Sequence, residues 1–260
     1  MKKILTLAFV GIAVVFASCD LNHWKEEIGT TTVTGQESNY DYVDLGLPSG
    51  TKWATCNVGA TKPEESGNYF AWGEIAPKEV YSLETYIFFQ EDVFCKGETL
   101  CKDTLCKGDT LSGLSKYCTN KDWGYKTYEK GKLKDEYKDT LTILQDTNDI
   151  ATIEWGGAWR LPTDEELTEL RLQCTWASVT LNGEHGYSVT GPNGNSIFLP
   201  AAGYMDASEV IAAGEQGNYW SKSSWIFNQS KSWAIYFDAD SKDHSHCDRY
   251  LGLTVRPVCR

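Results

Sequence analysis

The sequence predicts an α+β domain with many short antiparallel strands and few helices. Three observations carry this reading. One capped helix with an apolar face stands out at residues 163–174. Short runs of β-branched, aromatic or alternating apolar residues recur on both sides of it. Turn signals such as Asn182-Gly183 and Pro192-Asn193-Gly194 separate those runs at hairpin spacing.

In chain order, Met1-Lys2-Lys3 is a basic head, and residues 4–17 are apolar except for Thr6 and Gly11. A basic head, an apolar stretch and small residues before Cys19 form a secretory signal over residues 1–18. The stretch is shorter than the roughly 20 apolar residues that a membrane-spanning helix needs. Residues 19–39 are polar, rich in Thr, Gly and Glu, and without apolar periodicity. They are expected to be a flexible tether. Residues 40–260 then form one domain, since roughly 220 residues suffice for one large core.

Within the domain, residues 40–45 and 51–55 flank the turn Leu47-Pro48-Ser49-Gly50 and predict a hairpin. A short strand is expected at 68–72. Residues 75–115 show little period and read as a Cys-rich loop insertion. It contains three near copies of one short segment, beginning at Cys95, Cys101 and Cys106. Their spacing is far below the ~20 residues of a solenoid unit.

The helix starts after Trp159-Arg160-Leu161-Pro162. Thr163 is its N-cap and Glu166 completes a capping box. Asp164 and Glu165 place negative charge where the helix dipole favours it. Leu167, Leu170 and Cys174 share one apolar face, which should pack on a sheet. Beyond it, residues 176–181, 187–190, 196–199, 219–221, 232–238 and 250–258 read as strands. A hairpin across 238–249 is expected to lay the last of these against its predecessor. Trp233 alternates with Ile235 and Phe237, so it is expected in the core.

The formal charge is −12, and removing Lys2 and Lys3 with the leader leaves 22 basic against 36 acidic side chains, net −14. So acidic a chain is a poor nucleic-acid partner, because phosphates need a positive field. Ten Trp and fourteen Tyr supply core mass and candidate binding platforms. Eight cysteines besides Cys19 form an even set in an exported chain, which suggests disulfides; 105 pairings are open. No C-x2-C pair occurs and only four His are present, so no metal centre is expected. No Gly-x-Ser-x-Gly elbow, P-loop or dinucleotide fingerprint occurs, and no cofactor is expected.

Ala17-Ser18-Cys19 resembles the lipobox of bacterial lipoproteins, with Phe16 in place of its usual aliphatic residue. The resemblance implies cleavage before Cys19, lipidation of that thiol, and anchoring at a bacterial outer membrane or cell surface. Lys25-Glu26-Glu27 resembles the surface-export signals of Bacteroidetes lipoproteins. Asp-Thr-Leu occurs three times and resembles an O-glycosylation motif of exported Bacteroidetes proteins, which implies Thr104, Thr110 and Thr140 as acceptors.

Segments across the domain share a further resemblance. They include Val43-Asp44-Leu45-Gly46-Leu47-Pro48-Ser49-Gly50-Thr51-Lys52-Trp53-Ala54, Trp159-Arg160-Leu161-Pro162-Thr163, Phe198-Leu199-Pro200-Ala201-Ala202-Gly203, Tyr219-Trp220-Ser221 and Val255-Arg256-Pro257-Val258. From about Tyr40 to Val258 the chain resembles the Fibrobacter succinogenes major paralogous domain family. That implies a C-type-lectin-like fold, related to that of formylglycine-generating enzymes, and supports a fold more than an activity. In such folds a cysteine at a helix end often bridges to the last strand, which implies a Cys174–Cys259 disulfide. The sugar-binding calcium motifs of C-type lectins are absent; Tyr219-Trp220-Ser221-Lys222 stands where one of them would be. Cys247 and Cys259 do not reproduce the closely spaced pair of the oxidases.

Arg160 and Arg256 are expected in structural ion pairs, with Asp238 a candidate partner. Trp225, beside Ser223 and Ser224, is the candidate ligand-binding residue. The expected function is a lipid-anchored, non-catalytic module that binds a protein or glycan. The alternatives are a structural or accessory subunit of a surface assembly and, third, a thiol-dependent oxidase using Cys247 and Cys259.

Overall fold

The computed structural model describes residues 31–90, 110–111, 113–129 and 132–260. The leader, Cys19, Thr104 and the three cysteines of the short repeat lie outside these residues. The domain is α+β, dominated by antiparallel hairpins, with two α-helices among the described residues.

Three N-terminal strands open it: β1 (Gly35–Glu37), β2 (Tyr40–Asp44) and β3 (Lys52–Ala54). The hairpin expected around Leu47–Gly50 forms, with Val43 opposite Trp53. Residues 35–39, expected in the tether, belong to a strand and its turn. Ser38 and Asn39 both take positive φ, 49° and 70°, and turn the chain so that β1 pairs with β2. Such a two-residue turn matches strand twist, and its signal here was weak because Asn39 is not followed by glycine. Thr32 also donates its N–H to Ser196 O at 2.9 Å.

Two short helices follow, α1 (Ile150–Trp155) and α2 (Asp164–Gln173). α2 carries the expected capping box: Thr163 accepts from the Glu166 N–H, and the Glu166 carboxylate accepts from the Thr163 N–H. Strands β4 (Thr175–Leu181), β5 (Glu184–Thr190) and β6 (Ser196–Pro200) form a three-stranded sheet through the two expected turns. A second such sheet consists of β7 (Gln216–Ser224), β8 (Lys231–Asp238) and β9 (Lys242–Asp248), in that order. β10 (Val258–Cys259) pairs with β3, so both ends of the domain share one sheet.

The C-terminal hairpin differs from expectation. β8 pairs with β9, a strand made of residues read as a loop from their polarity. Residues 250–258 run elsewhere, bridging Met205, Phe70 and Tyr219 before reaching β3. β9 is polar because it is an edge strand, for which apolar alternation is a poor guide. The strand expected at 68–72 is a single bridge, Phe70 to Leu253.

The first part of the expected insertion belongs to the core. Tyr81, Tyr86 and Phe88 are buried. Tyr81 Oη donates to Tyr69 O at 2.6 Å and Tyr86 Oη to Trp72 O at 2.9 Å. Aromatic packing and hydroxyl hydrogen bonds hold this irregular chain without a repeating pattern. Phe89–Gln90 then pairs with Gly113–Leu114.

Two apolar clusters sit on opposite faces of the β7–β8–β9 sheet. Ala234 and Trp220 join the first, with Trp72, Tyr117 and Trp159. Ile235, Phe237 and Tyr219 join the second, with Leu167 and Leu170 of α2. α2 therefore covers part of one sheet face, as its apolar stripe requires. Among the described residues, no helix is long and apolar enough to cross a membrane.

Candidate functional site

The motif arginines serve the scaffold. Arg160 donates to both oxygens of Glu166 at 2.6 Å. Arg256 is fully buried and donates to Asn57 Oδ1, Ala54 O, Thr55 O and Phe198 O at 2.8–3.0 Å. It pairs with carbonyls rather than with Asp238, which accepts from Tyr236, Asp240 and Ser241 around its own turn. Trp220 Nε1 donates to Phe70 O and Trp72 Nε1 to Ser221 O, which ties the Tyr219-Trp220-Ser221 motif into the core. Lys222 reaches the buried carboxylate of Asp149 at 3.4 Å.

The candidate site lies where α2 stops covering the sheet. Directly opposed residues of antiparallel strands share a face. Trp233 is opposite His246 and Ile235 is opposite His244, so all four share the α2 face. Ser223, two residues before Trp225, bridges Ile143 and its hydroxyl accepts from the Asp164 N–H at 3.2 Å. That hydrogen bond fixes the first turn of α2 over Ser223. Among the described residues, no helix lies over the face beyond this point.

What remains uncovered is a ladder of rings. Trp233 stacks on His244 with centroids 4.0 Å apart, and Trp225 stacks on His246 at 3.6 Å. The two indoles meet at 6.1 Å with a 60° tilt, and Phe227 lies 6.3 Å from Trp225. His244 Nε2 contacts the carboxylate of Asp164, which joins the ladder to the helix start. Ile143, Ile226 and Phe227 are exposed, Phe227 to 78%. An aromatic–aliphatic patch of this kind, bordered by a carboxylate–imidazole pair, is suited to binding rather than to packing.

Trp225 is half-buried on this surface. Trp233 corrects the expectation. It shares the face of Ile235 and Phe237 but lies past the end of α2, half-buried and outside both core clusters. Alternation gave its face correctly and could not show what covers that face. His244 and His246 are two of the four histidines that the sequence offered only for a metal centre. Their i, i+2 spacing beside an alternating Trp was the available signal for a ring ladder. Among the described residues, no three His, Cys, Asp or Glu side chains converge as a metal site would need.

The expected Cys174–Cys259 bridge is absent, and both thiols are free. Cys259 follows Val258, which pairs with Arg160, and Arg260 contacts Glu166 near the start of α2. Cys174 caps the other end of that helix. Eight residues of helix from Glu166 span about 12 Å, well beyond the ~7 Å Cα limit for a disulfide. Burial pushes the thiol of Cys174 up to about 12 and those of Cys247 and Cys259 up to about 11.

Of the Asp-Thr-Leu sites, Thr110 starts the short strand Thr110–Leu111. Thr140 is exposed in irregular chain. Its neighbour Asp139 accepts from the N–H groups of Tyr117, Cys118 and Leu141 at 2.6–3.0 Å, so that carboxylate is a structural clamp. No family model, curated protein or solved structure matches this chain.

Proposed function

We propose that this chain is a lipid-anchored, non-catalytic binding module of a bacterial cell surface. It presents the ladder of Trp225, Trp233, His244 and His246 to a protein or glycan ligand. The observation that carries the reading is the sheet face left uncovered beyond α2, where indoles locked by imidazole stacking stand beside exposed Ile143, Ile226 and Phe227. Rings held in place before binding lose little freedom on contact, which favours affinity. The lipid anchor rests on the lipobox resemblance at Cys19.

The C-type-lectin-like fold and the Fibrobacter succinogenes major paralogous domain family belong to the same proposal. They are supported by the antiparallel hairpins, by the packing of the capped helix α2 on a sheet, and by the pairing of N- and C-terminal strands. The motifs behind the resemblance also fall on buried hydrogen-bonding positions. The oxidase alternative is disfavoured by thiols that burial holds protonated near neutral pH.

Screening the purified chain against glycan and envelope-protein arrays tests the reading, with a Trp225→Ala/Phe227→Ala double variant beside it. A ligand retained by the parent and lost by the variant supports it. A blank on both arrays, or equal binding by both proteins, overturns it.

A further inference from the structure

β9 is the outer strand of its sheet, and its order of residues is complementary to itself. The sheet runs β7–β8–β9, so one edge of β9 faces away from β8. The phase of the ladder is fixed at both ends. Asp238 donates its N–H to Ser241 O, and Arg249 donates its N–H to Ser230 O. In an antiparallel ladder, inward and outward backbone groups alternate. The outward groups therefore belong to Lys242, His244, His246 and Asp248. Consistently, the His244 N–H is met by its neighbour's carboxylate, Asp243 Oδ1, at 2.8 Å and not by a strand. Among the described residues, no other strand pairs with this edge.

An open edge is a template for another strand. We propose that β9 pairs antiparallel with β9 of a second copy of this chain, about a two-fold axis at Ser245. In that register Lys242 of each copy lies opposite Asp248 of the other, and His244 lies opposite His246. All four are the residues whose backbone groups point outward, so their N–H and C=O groups exchange bonds directly. Lys242 and Asp248 lie on the same face of the sheet, where opposed unlike charges attract. No like charges face each other: Asp243 meets Cys247 and Ser245 meets Ser245. Charge complementarity at both ends of a seven-residue strand selects a second copy over an arbitrary strand. The symmetric contact is isologous and closes on itself.

Pairing there joins two three-stranded sheets into one of six strands. It also brings the ring ladders of the two copies side by side, since His244 and His246 belong to both the ladder and the edge. The proposal concerns assembly and does not depend on which ligand the ladder takes.

Sedimentation velocity of the full chain across a concentration series tests it, with Cys19→Ser so that lipid does not drive association. The parent is expected to dimerise. Lys242→Glu should weaken the dimer at least tenfold, and adding Asp248→Lys with Lys231→Glu, which also preserves the 3.1 Å pair between residues 231 and 248 within each copy, should restore it to within a few-fold. Ser245→Cys should give a covalent dimer under mild oxidation, above the level of the unchanged chain. Lys242→Cys should not, because its partner across the axis is Asp248. A monomer at every concentration, no recovery in the charge-swapped pair, or equal cross-linking at positions 242 and 245 would each overturn the proposal.

Discussion

Arg160 and Glu166 face each other across the start of α2 with two parallel N–H···O bonds of 2.6 Å. The same carboxylate accepts from Thr51 Oγ1 at 2.7 Å and from the Thr163 N–H at 2.9 Å. It therefore joins the β2–β3 turn, the helix cap and the strand-end arginine, and Glu166 itself is only 4% exposed.

Acid should loosen this junction first. Burial alone would raise the Glu166 carboxyl, but the bonds from Arg160, Thr163 and Thr51 outweigh it and hold the group at about 2, below its ordinary 4.5. A depressed carboxylate stabilises the fold fully above its unfolded value, and that contribution fades as pH falls from about 4.5 toward 2. A shift of this size corresponds to about 3 kcal/mol. Urea unfolding of the parent and of Glu166→Gln should show that gap at pH 7 and a progressively smaller one between pH 4 and pH 2. A gap that stays constant over that range would exclude the assignment.

Arg256 should not tolerate lysine. Its guanidinium, whose pKa burial lowers, spans four acceptors on two separate segments, residues 54–57 and Phe198. A lysine ammonium has three donors at a point and cannot reproduce the planar fork. Losing one or two charge-assisted bonds inside the core predicts a loss of about 3 kcal/mol for Arg256→Lys. Chemical denaturation reads this directly, and a change within 0.5 kcal/mol, about the scatter of surface substitutions, would contradict it.

Thiol chemistry should separate the cysteines by burial. Cys118, Cys247 and Cys259 are pushed up to about 11 and Cys174 to about 12. At pH 8 the first three hold roughly a hundredfold less thiolate than an unperturbed cysteine, and Cys174 roughly a thousandfold less. Alkylation of the folded chain, mapped peptide by peptide, should label half-buried Cys56 before any of these four. Denaturant should release all of them. Recovery of a Cys174–Cys259 cross-linked peptide would overturn the free-thiol arrangement.

Legibility in the sequence followed the range of the interaction. The capping box of α2, the Leu47–Gly50 turn and the Asn182-Gly183 turn are satisfied within a few residues, and each forms as read. The β1–β2 hairpin is equally local, yet Ser38-Asn39 lacks the glycine that marks such turns. β9 and residues 250–258 were exchanged, because an edge strand needs charge where a buried segment needs apolar surface. The 250–258 segment carries the stronger alternation and pairs with scattered bridges instead of one neighbour.

The candidate site shows the same division. Residue order alone put Trp233 on the face of Ile235 and Phe237, and set Trp225 beside a polar strand end. Periodicity reports which side of a strand a residue occupies, since successive side chains alternate by pleat geometry. Only the tertiary structure decided that α2 ends before Trp233, that His244 and His246 stack beneath the indoles, and that Cys174 and Cys259 lie at opposite ends of one helix. Coverage of a face and proximity of distant thiols depend on where separate elements come to rest, which is set by packing between residues far apart in the chain.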